Sequence, residues 1–281
     1  MRILVTGAKG MLGTDLCREL SGQHQVAGID IHDLDLTSED AADKLISYDP
    51  EFVVHCAAMA NVDGCEREPD KAYAINGKGT RNVALACKRS GVPMLYISTD
   101  FVFDGRKSEP YREDDEPNPL GHYGRSKMEG EKQVQELLSD FYIVRTSWLF
   151  GKHGKNFIST ILNKARNTGI IKVVNDQVGS PTYARDLCRA LAMLISSGKY
   201  GTYHLSNSGT CSWYEFAKRA VELSGITADV IPISSSEYPT PTQRPAYSVL
   251  GNYFWKDNFG NSLRPWEEGL KDYLEETGYK K

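Results

Sequence analysis

Nothing in the 281 residues approaches the roughly 20 consecutive apolar positions that a membrane-crossing helix needs. The N-terminal MRILVTG offers only Ile3 to Val5 before Thr6 and Gly7, too short for the apolar core of a secretory signal. A basic excess is missing too. With 33 Lys and Arg against 37 Asp and Glu, the formal net charge is -4, which argues against a surface built for nucleic acid or anionic lipid and leaves room for a local cationic cleft. The six cysteines, Cys17, Cys56, Cys65, Cys87, Cys188 and Cys211, form no C-x-x-C pair, so neither a zinc site nor a dithiol redox motif is expected. Buried thiols in a reducing cytoplasm are the simpler reading. No internal repeat and no low-complexity tract divides the chain.

What is present is an alternation. Short runs rich in β-branched residues, RILVT (2–6), QVAGI (25–29), FVVHCA (52–57), PMLYIS (93–98), FYIVRTS (141–147) and IKVV (171–174), alternate with helix-like stretches near 11–21, 38–48, 70–90, 123–138 and 155–168. That order predicts an α/β fold: a Rossmann-like, doubly wound parallel sheet with helices on both faces. Beyond residue 175 the alternation loosens into a helix near 183–197, a strand GTYHLS (201–206), a helix from Trp213 to Leu223, a strand DVIPIS (229–234) and a closing helix from Pro265 to Glu276. The four prolines of EYPTPTQRPAYSVL exclude a long helix or a central strand there and predict an ordered loop. The expected organisation is a dinucleotide-binding domain over 1–175 and a smaller substrate-binding lobe over 176–281, completed by excursions of the chain back to the first domain.

VTGAKGMLG sets Gly7, Gly10 and Gly13 between the first strand and the first helix. Glycines there allow a tight turn and close approach of a pyrophosphate to the unpaired N–H groups of a helix N-terminus. Asp30 ends the second strand, where a carboxylate can accept bonds from an adenosine ribose; a solvated turn residue is the competing reading, since HDLDLTSED surrounds it with acids. Lys9 in the loop can instead pair with a 2'-phosphate. NADH and NADPH therefore both remain open as the cofactor.

In YGRSKMEGE, Tyr123 and Lys127 lie at i and i+4, on one face of a helix. A free phenol has a pKa of about 10 and donates poorly to a ketone unless a cation stabilises its phenolate. Lys127 is expected to supply that charge, although the spacing alone also fits a surface pair. PMLYIS runs into Ser98, Thr99 and Asp100 at the carboxyl end of a central strand, where open α/β sheets bind ligands. A hydroxyl there can hydrogen-bond a carbonyl oxygen as charge develops on it. Elsewhere, His55 and His153 read as structural, Trp213, Phe216 and Ala220 as helical core spacing, and REDDEPNPL as a solvated loop or lid.

VTGAKGMLG, HCAAMA, STDFVFDG, YGRSKMEGE, RTSWLFG, NDQVGSPTYARDL and TPTQRPAYSVL, in this order over nearly the whole chain, resemble the extended short-chain dehydrogenase/reductases and, within them, the dTDP-4-dehydrorhamnose reductase family. The resemblance implies hydride transfer to C4 of a 4-keto nucleotide sugar, dTDP-4-dehydro-L-rhamnose. It implies Tyr123 as proton donor, Lys127 as holder of the nicotinamide ribose and Thr99 as orienter of the carbonyl. Gly7, Gly10, Met11, Leu12, Gly13, Asp30, Asp35, Leu36, Ala57 and Ala58 would join Tyr123 and Lys127 around the dinucleotide. Thr99, Asp100, Val102, Phe103, Trp148, Gln177 and Arg244 would face the substrate, Arg244 through its planar fork on the diphosphate. Phe101 departs from the tyrosine many relatives carry. Some members share an inter-subunit magnesium site built from glutamates. Asp15 could serve as one ligand, but Arg185 stands where another acid is expected, so no metal is expected. Homodimers are common in that family.

Two other functions compete. An epimerase or dehydratase could use the same scaffold, but the related dehydratases resemble STDEVYG, and here Phe101 follows Asp100 in place of the glutamate needed for water loss. A non-catalytic dinucleotide-binding subunit, as in the β subunit of methionine adenosyltransferase, is disfavoured by an intact Thr99, Tyr123 and Lys127 set.

Overall fold

The computed structural model describes residues 1–279. In chain order its strands are β1 (Arg2–Thr6), β2 (Gln25–Ile29), β3 (Phe52–His55), β4 (Met94–Thr99), β5 (Phe141–Thr146), β6 (Leu149–Phe150), β7 (Ile170–Val174), β8 (Val178–Gly179), β9 (Thr182–Tyr183), β10 (Gly201–His204), β11 (Cys211–Ser212) and β12 (Asp229–Ile233). The helices are α1 (Met11–Ser21), α2 (Ala41–Ile46), α3 (Val62–Arg67), α4 (Pro69–Tyr73), α5 (Thr80–Ser90), α6 (His122–Leu137), α7 (Phe157–Thr168), α8 (Ala184–Ile195), α9 (Trp213–Ser224), α10 (Tyr253–Phe259) and α11 (Trp266–Glu276).

Six strands make one parallel sheet in the order β2-β1-β3-β4-β5-β10. Alternate residues of β1 serve opposite faces, as a pleated strand requires. Ile3 and Val5 pack with Leu12, Leu16 and Leu20 of α1 and Leu187, Leu191 and Leu194 of α8. Leu4 turns the other way, into a cluster with Leu45 of α2, Val83 and Cys87 of α5 and Val134 of α6. Covered on both sides, β3 and β4 tolerate near-continuous apolar sequence. The chain leaves β1 for one edge and β3 for the other, so a crevice opens at their carboxyl ends.

Two expectations change here. IKVV does not join the main sheet; β7 pairs in parallel with β12, while β10 forms the sixth strand of the main sheet beside β5. The physical reason is visible in β7 itself. Ile171 and Val173 are buried and Ile170 and Lys172 exposed, the alternation of a strand covered on one face only. That covered face packs in a second core with Ile158 and Leu162 of α7, Phe216 and Ala220 of α9 and Leu270 and Leu274 of α11. The expected helix over 70–90 is also interrupted: a π-helical turn, Ala74–Gly79, separates α4 from α5. Its widening lets the buried Asn76 side chain accept from Met59 N at 2.8 Å and donate to Ser126 Oγ at 3.0 Å, tying the loop after β3 to α6.

The acidic loop before α6 is partly internal. Glu113 is 5% exposed and accepts from Phe254 N at 3.1 Å, at the start of α10, a helix not expected from the sequence. The proline-rich segment is an ordered loop, as its composition requires. Among the described residues no helix is long and apolar enough to cross a membrane.

Candidate active site

Three cavities share walls in series, the first two at the carboxyl ends of the main-sheet strands and the third against β7, α7 and the proline-rich loop. The first, of about 480 Å³, is lined by Lys9, Asp30, Leu34, Asp35, Leu36 and Ala57. Gly7, Gly10, Cys56 and Ala58 are shared with the second, of about 500 Å³, which holds Met11, Leu12, Gly13, Thr99, Asp100, Tyr123, Lys127 and Trp148. Trp213 and Arg244 are shared between the second and the third, of about 470 Å³, lined also by Gln177, Lys164, Lys172 and Tyr238.

The glycine loop is shaped for close approach. Gly7 has φ +70°, and a Cβ at Gly13 would stand 2.2 Å from the Gly7 carbonyl oxygen, so only glycine lets α1 begin this near β1. Gly10 caps α1 with no side-chain hydrogen bond, which leaves the N–H groups and positive end of the helix facing the cavity. These features fit a pyrophosphate. Asp30, in the wall of the first cavity, accepts from Lys9 N at 3.0 Å and Ile31 N at 2.9 Å, one bond on each carboxylate oxygen, which leaves each oxygen capacity to accept another. The Lys9 side chain is exposed, its Nζ 3.8 Å from Asp33.

Two glycines in YGRSKMEGE bring α6 against β4. A Cβ at Gly124 would stand 2.0 Å from the Phe101 carbonyl oxygen, and one at Gly130 would stand 2.3 Å from Tyr96 Oη. Tyr123 is thereby set beside Thr99, its ring edge-on to Phe101 with centroids 5.6 Å apart. Burial raises the Tyr123 pKa, and hydrogen bonding with the Thr99 hydroxyl offsets part of the rise. Lys127 is 3% exposed; its Nζ donates to Ile97 O at 2.7 Å and lies 4.1 Å from the centre of the Tyr96 ring. Burial lowers the Lys127 pKa to about 7, opposed by the Glu131 charge. The charge that Lys127 is expected from the sequence to lend the phenol is not what sets the Tyr123 pKa in this structure; burial raises it. The Lys127 amine is turned to a strand carbonyl, and desolvation governs the tyrosine. Asp100, buried in the cavity wall beside Thr99, accepts from the Thr99 hydroxyl at 3.1 Å and is pushed up to about 6 by burial.

His55 is a neutral structural bridge: buried, lowered to about 3 by desolvation, and bonded to Thr6 Oγ1 at 2.6 Å and Thr80 Oγ1 at 3.0 Å. Val102 and Phe103 do not reach the cavities. They are 0% and 1% exposed, in a separate cluster with Tyr111 and Leu250, because the 3-10 turn Asp100–Val102 carries the chain inward. Trp213 packs against the second core as expected and also stacks on Trp148 with ring centroids 3.5 Å apart and planes at 6°, while Phe216 and Ala220 are buried as expected. Trp148 adopts φ +47°, and Gly179 admits its indole, since a Cβ there would lie 2.4 Å from the ring. Asp15 faces His153 at 3.4 Å and Arg185 pairs with Glu276 at 2.6 Å; no group of three or more metal-ligating side chains occurs among the described residues.

Reasoning from sequence missed Cys56, Asp63, Lys155, Lys164 and Lys172 as cavity residues. Lys155 and Lys172 lie in or beside elements with no motif of their own, and only the folded arrangement brings them to the cavity walls.

This combination of parallel sheet, glycine loop and Tyr-x-x-x-Lys helix defines the scaffold of an extended short-chain dehydrogenase/reductase. Within that class the chain belongs to the family described as RmlD substrate binding domain, whose model matches residues 1–278. It is 43% identical to the spore coat polysaccharide biosynthesis protein SpsK of Bacillus subtilis, over 98% of this chain and 97% of that one. Among solved structures, a dTDP-4-dehydrorhamnose reductase of Clostridium acetobutylicum superposes with TM-score 0.97 at 43% identity, covering 99% of this chain and 100% of that one. A dTDP-4-dehydrorhamnose reductase of Bacillus anthracis in complex with NADP gives TM-score 0.96 at 41% identity, covering 98% and 99%.

Proposed function

We propose that this protein is an oxidoreductase that uses NADPH or NADH to reduce the C4 ketone of a nucleotide sugar, converting dTDP-4-dehydro-L-rhamnose to dTDP-L-rhamnose. One observation carries the reading. Thr99 and Tyr123 sit in the middle cavity, which opens on one side to the glycine-loop cavity and on the other to a cavity flanked by Arg244, Lys164 and Lys172. The full-length similarity to proteins named as reductases of this sugar supports the choice of substrate.

The reduced nicotinamide supplies the hydride. Gly7, Gly10, Gly13, Met11 and Leu12 hold its pyrophosphate side, Asp30 its adenosine ribose, and Asp35 and Leu36 its adenine, with Ala57 and Ala58 along the channel. Thr99 hydrogen-bonds the sugar carbonyl oxygen and orients it. Tyr123 keeps its proton at neutral pH because its burial disfavours the phenolate, and it delivers that proton to the more basic alkoxide as the C–H bond forms. Lys127 holds the nicotinamide ribose and offsets the charge left on the phenolate. Trp148 and Gln177 face the sugar nucleotide, and Arg244 takes the diphosphate.

We assign dinucleotide binding mainly to residues 1–175 and substrate binding mainly to 176–281. The setting is the cytoplasm, supported by six unpaired cysteines among the described residues. Assembly as a homodimer completes the reading, and light scattering tests it. Purified protein given dTDP-4-dehydro-L-rhamnose should consume reduced-nicotinamide absorbance, with dTDP-L-rhamnose identified by NMR. Epimer interconversion without net cofactor oxidation would overturn the reading.

A further inference from the structure

Beneath the floor of the middle cavity lies a buried ionic group that the reaction scheme above does not use. Glu131, 2% exposed, receives two bonds from the Arg145 guanidinium, Nε at 3.0 Å and Nη2 at 2.7 Å, and a third from the Ser98 hydroxyl. Ser98 and Arg145 are register partners on β4 and β5, so both point at the same stretch of α6. Ser98 also lines the cavity itself. Glu131 stands one helical turn after Lys127, the i+4 relation that puts two side chains on one face.

We propose that Glu131, seated by Ser98 and Arg145, is a positioning residue that keeps the buried Lys127 amine charged, with Arg145 setting how much of the carboxylate field the amine feels. The bland alternative is that the pair only bolts α6 to β5, since buried ion pairs are weak evidence for anything more. The neighbours of Lys127 argue for the stronger role. Its other titratable neighbours are Cys56 after β3, Cys65 on α3, His55 on β3, Tyr96 on β4 and Tyr123 on α6. Burial pushes the two thiols up to about 12 and about 11, holds the imidazole at about 3, and raises both phenols. All five are therefore neutral near pH 7. The Ile97 carbonyl and the Tyr96 ring face also favour the ammonium, but they are neutral, so among these neighbours Glu131 is the one that brings a full negative charge against the loss of the lysine proton to desolvation.

The inference rests on Lys127 being a working group of the reductase, but its test needs no turnover, so the two readings fail separately. The side-chain 13Cε shift of Lys127 in unliganded protein, assigned by its disappearance in Lys127→Met, reports the titration midpoint. Glu131→Gln is expected to lower that midpoint by about one pH unit, the scale of a neighbouring charge in a partly screened interior. Arg145→Met, which unmasks the carboxylate, is expected to raise it. Replacing both, as Glu131→Met with Arg145→Met, removes the pair without leaving an unpaired charge, and decides the matter if Glu131→Gln does not fold; it should lower the midpoint by a smaller amount. Midpoints within about 0.3 pH unit of wild type in variants that keep their near-ultraviolet circular dichroism would reduce the pair to a bolt and overturn the proposal.

Discussion

Gly124 and Phe101 touch backbone to backbone: a Cβ added to Gly124 would stand 2.0 Å from the Phe101 carbonyl oxygen. This contact, one residue from Tyr123, sets the depth at which α6 presents its phenol to Thr99. Gly124→Ala must push the helix away from the strand end. The expected result is a stability loss of about 1–3 kcal/mol, typical of overpacking, and a fall in kcat of at least about tenfold as Tyr123 moves off its target. Thermal melting and steady-state kinetics measure the two separately. Normal turnover would mean that catalysis does not depend on the depth at which α6 holds Tyr123.

Tyr123→Phe keeps the ring, its edge-on packing against Phe101 and the shape of the cavity, and removes only the proton. Turnover is expected to fall by about 100-fold or more with dinucleotide affinity nearly unchanged, since general acid catalysis contributes on that scale. Fluorescence titration with the reduced nicotinamide and single-turnover kinetics check both halves. A mutant as fast as the parent removes tyrosine from the mechanism.

Lys127 should mark the pH dependence of stability. Its amine keeps the proton up to about 10.5 in the unfolded chain but only to about 7 when buried. Between those values the unfolded state binds the extra proton, so stability rises with pH, by at most about 1.4 kcal/mol per unit from this group. Below the folded value the penalty for burying the ammonium is present in full. Lys127→Met should flatten this component of the melting temperature between pH 7 and pH 10. An unaltered profile in the mutant would show that the lysine is not desolvated in solution.

The parts of the site that were legible in the sequence are those in which spacing along the chain equals spacing in space. The Gly7, Gly10 and Gly13 turn and the i, i+4 pair Tyr123 and Lys127 are local geometry, and their residues do line the cavities. The errors arose where a tertiary partner decided the outcome. IKVV reads as one more sheet strand until β12 supplies an edge elsewhere, and Asn76 shows no signal until a π turn exposes it to Met59 and Ser126. Val102 and Phe103 follow Thr99 and Asp100 in a motif, but a single 3-10 turn separates a cavity wall from a sealed core. Trp213 has core spacing on α9 and packs against that core, but it begins the helix, and its ring also lies on Trp148 in the walls of the second and third cavities.

Arg244 joins the second and third cavities and is held by Asp63 of α3, with Nη2 3.4 Å from Oδ2. The pair is incompletely bonded: Arg244 Nε and Asp63 Oδ1 are both buried without a hydrogen-bond partner. A guanidinium with a donor to spare suits an incoming diphosphate, and the carboxylate beside it competes for the same fork. Arg244→Lys, which keeps charge but loses bidentate geometry, is expected to raise the substrate KM by about tenfold with a smaller effect on kcat. Asp63→Asn is expected to act the other way, lowering KM by about two- to threefold, because a partly exposed ion pair with a 3.4 Å contact contributes about 1 kcal/mol or less and its removal frees the fork. If Asp63→Asn instead raised KM as strongly as Arg244→Lys, the carboxylate would be holding the arginine in its binding position, and the competition between aspartate and diphosphate would be ruled out.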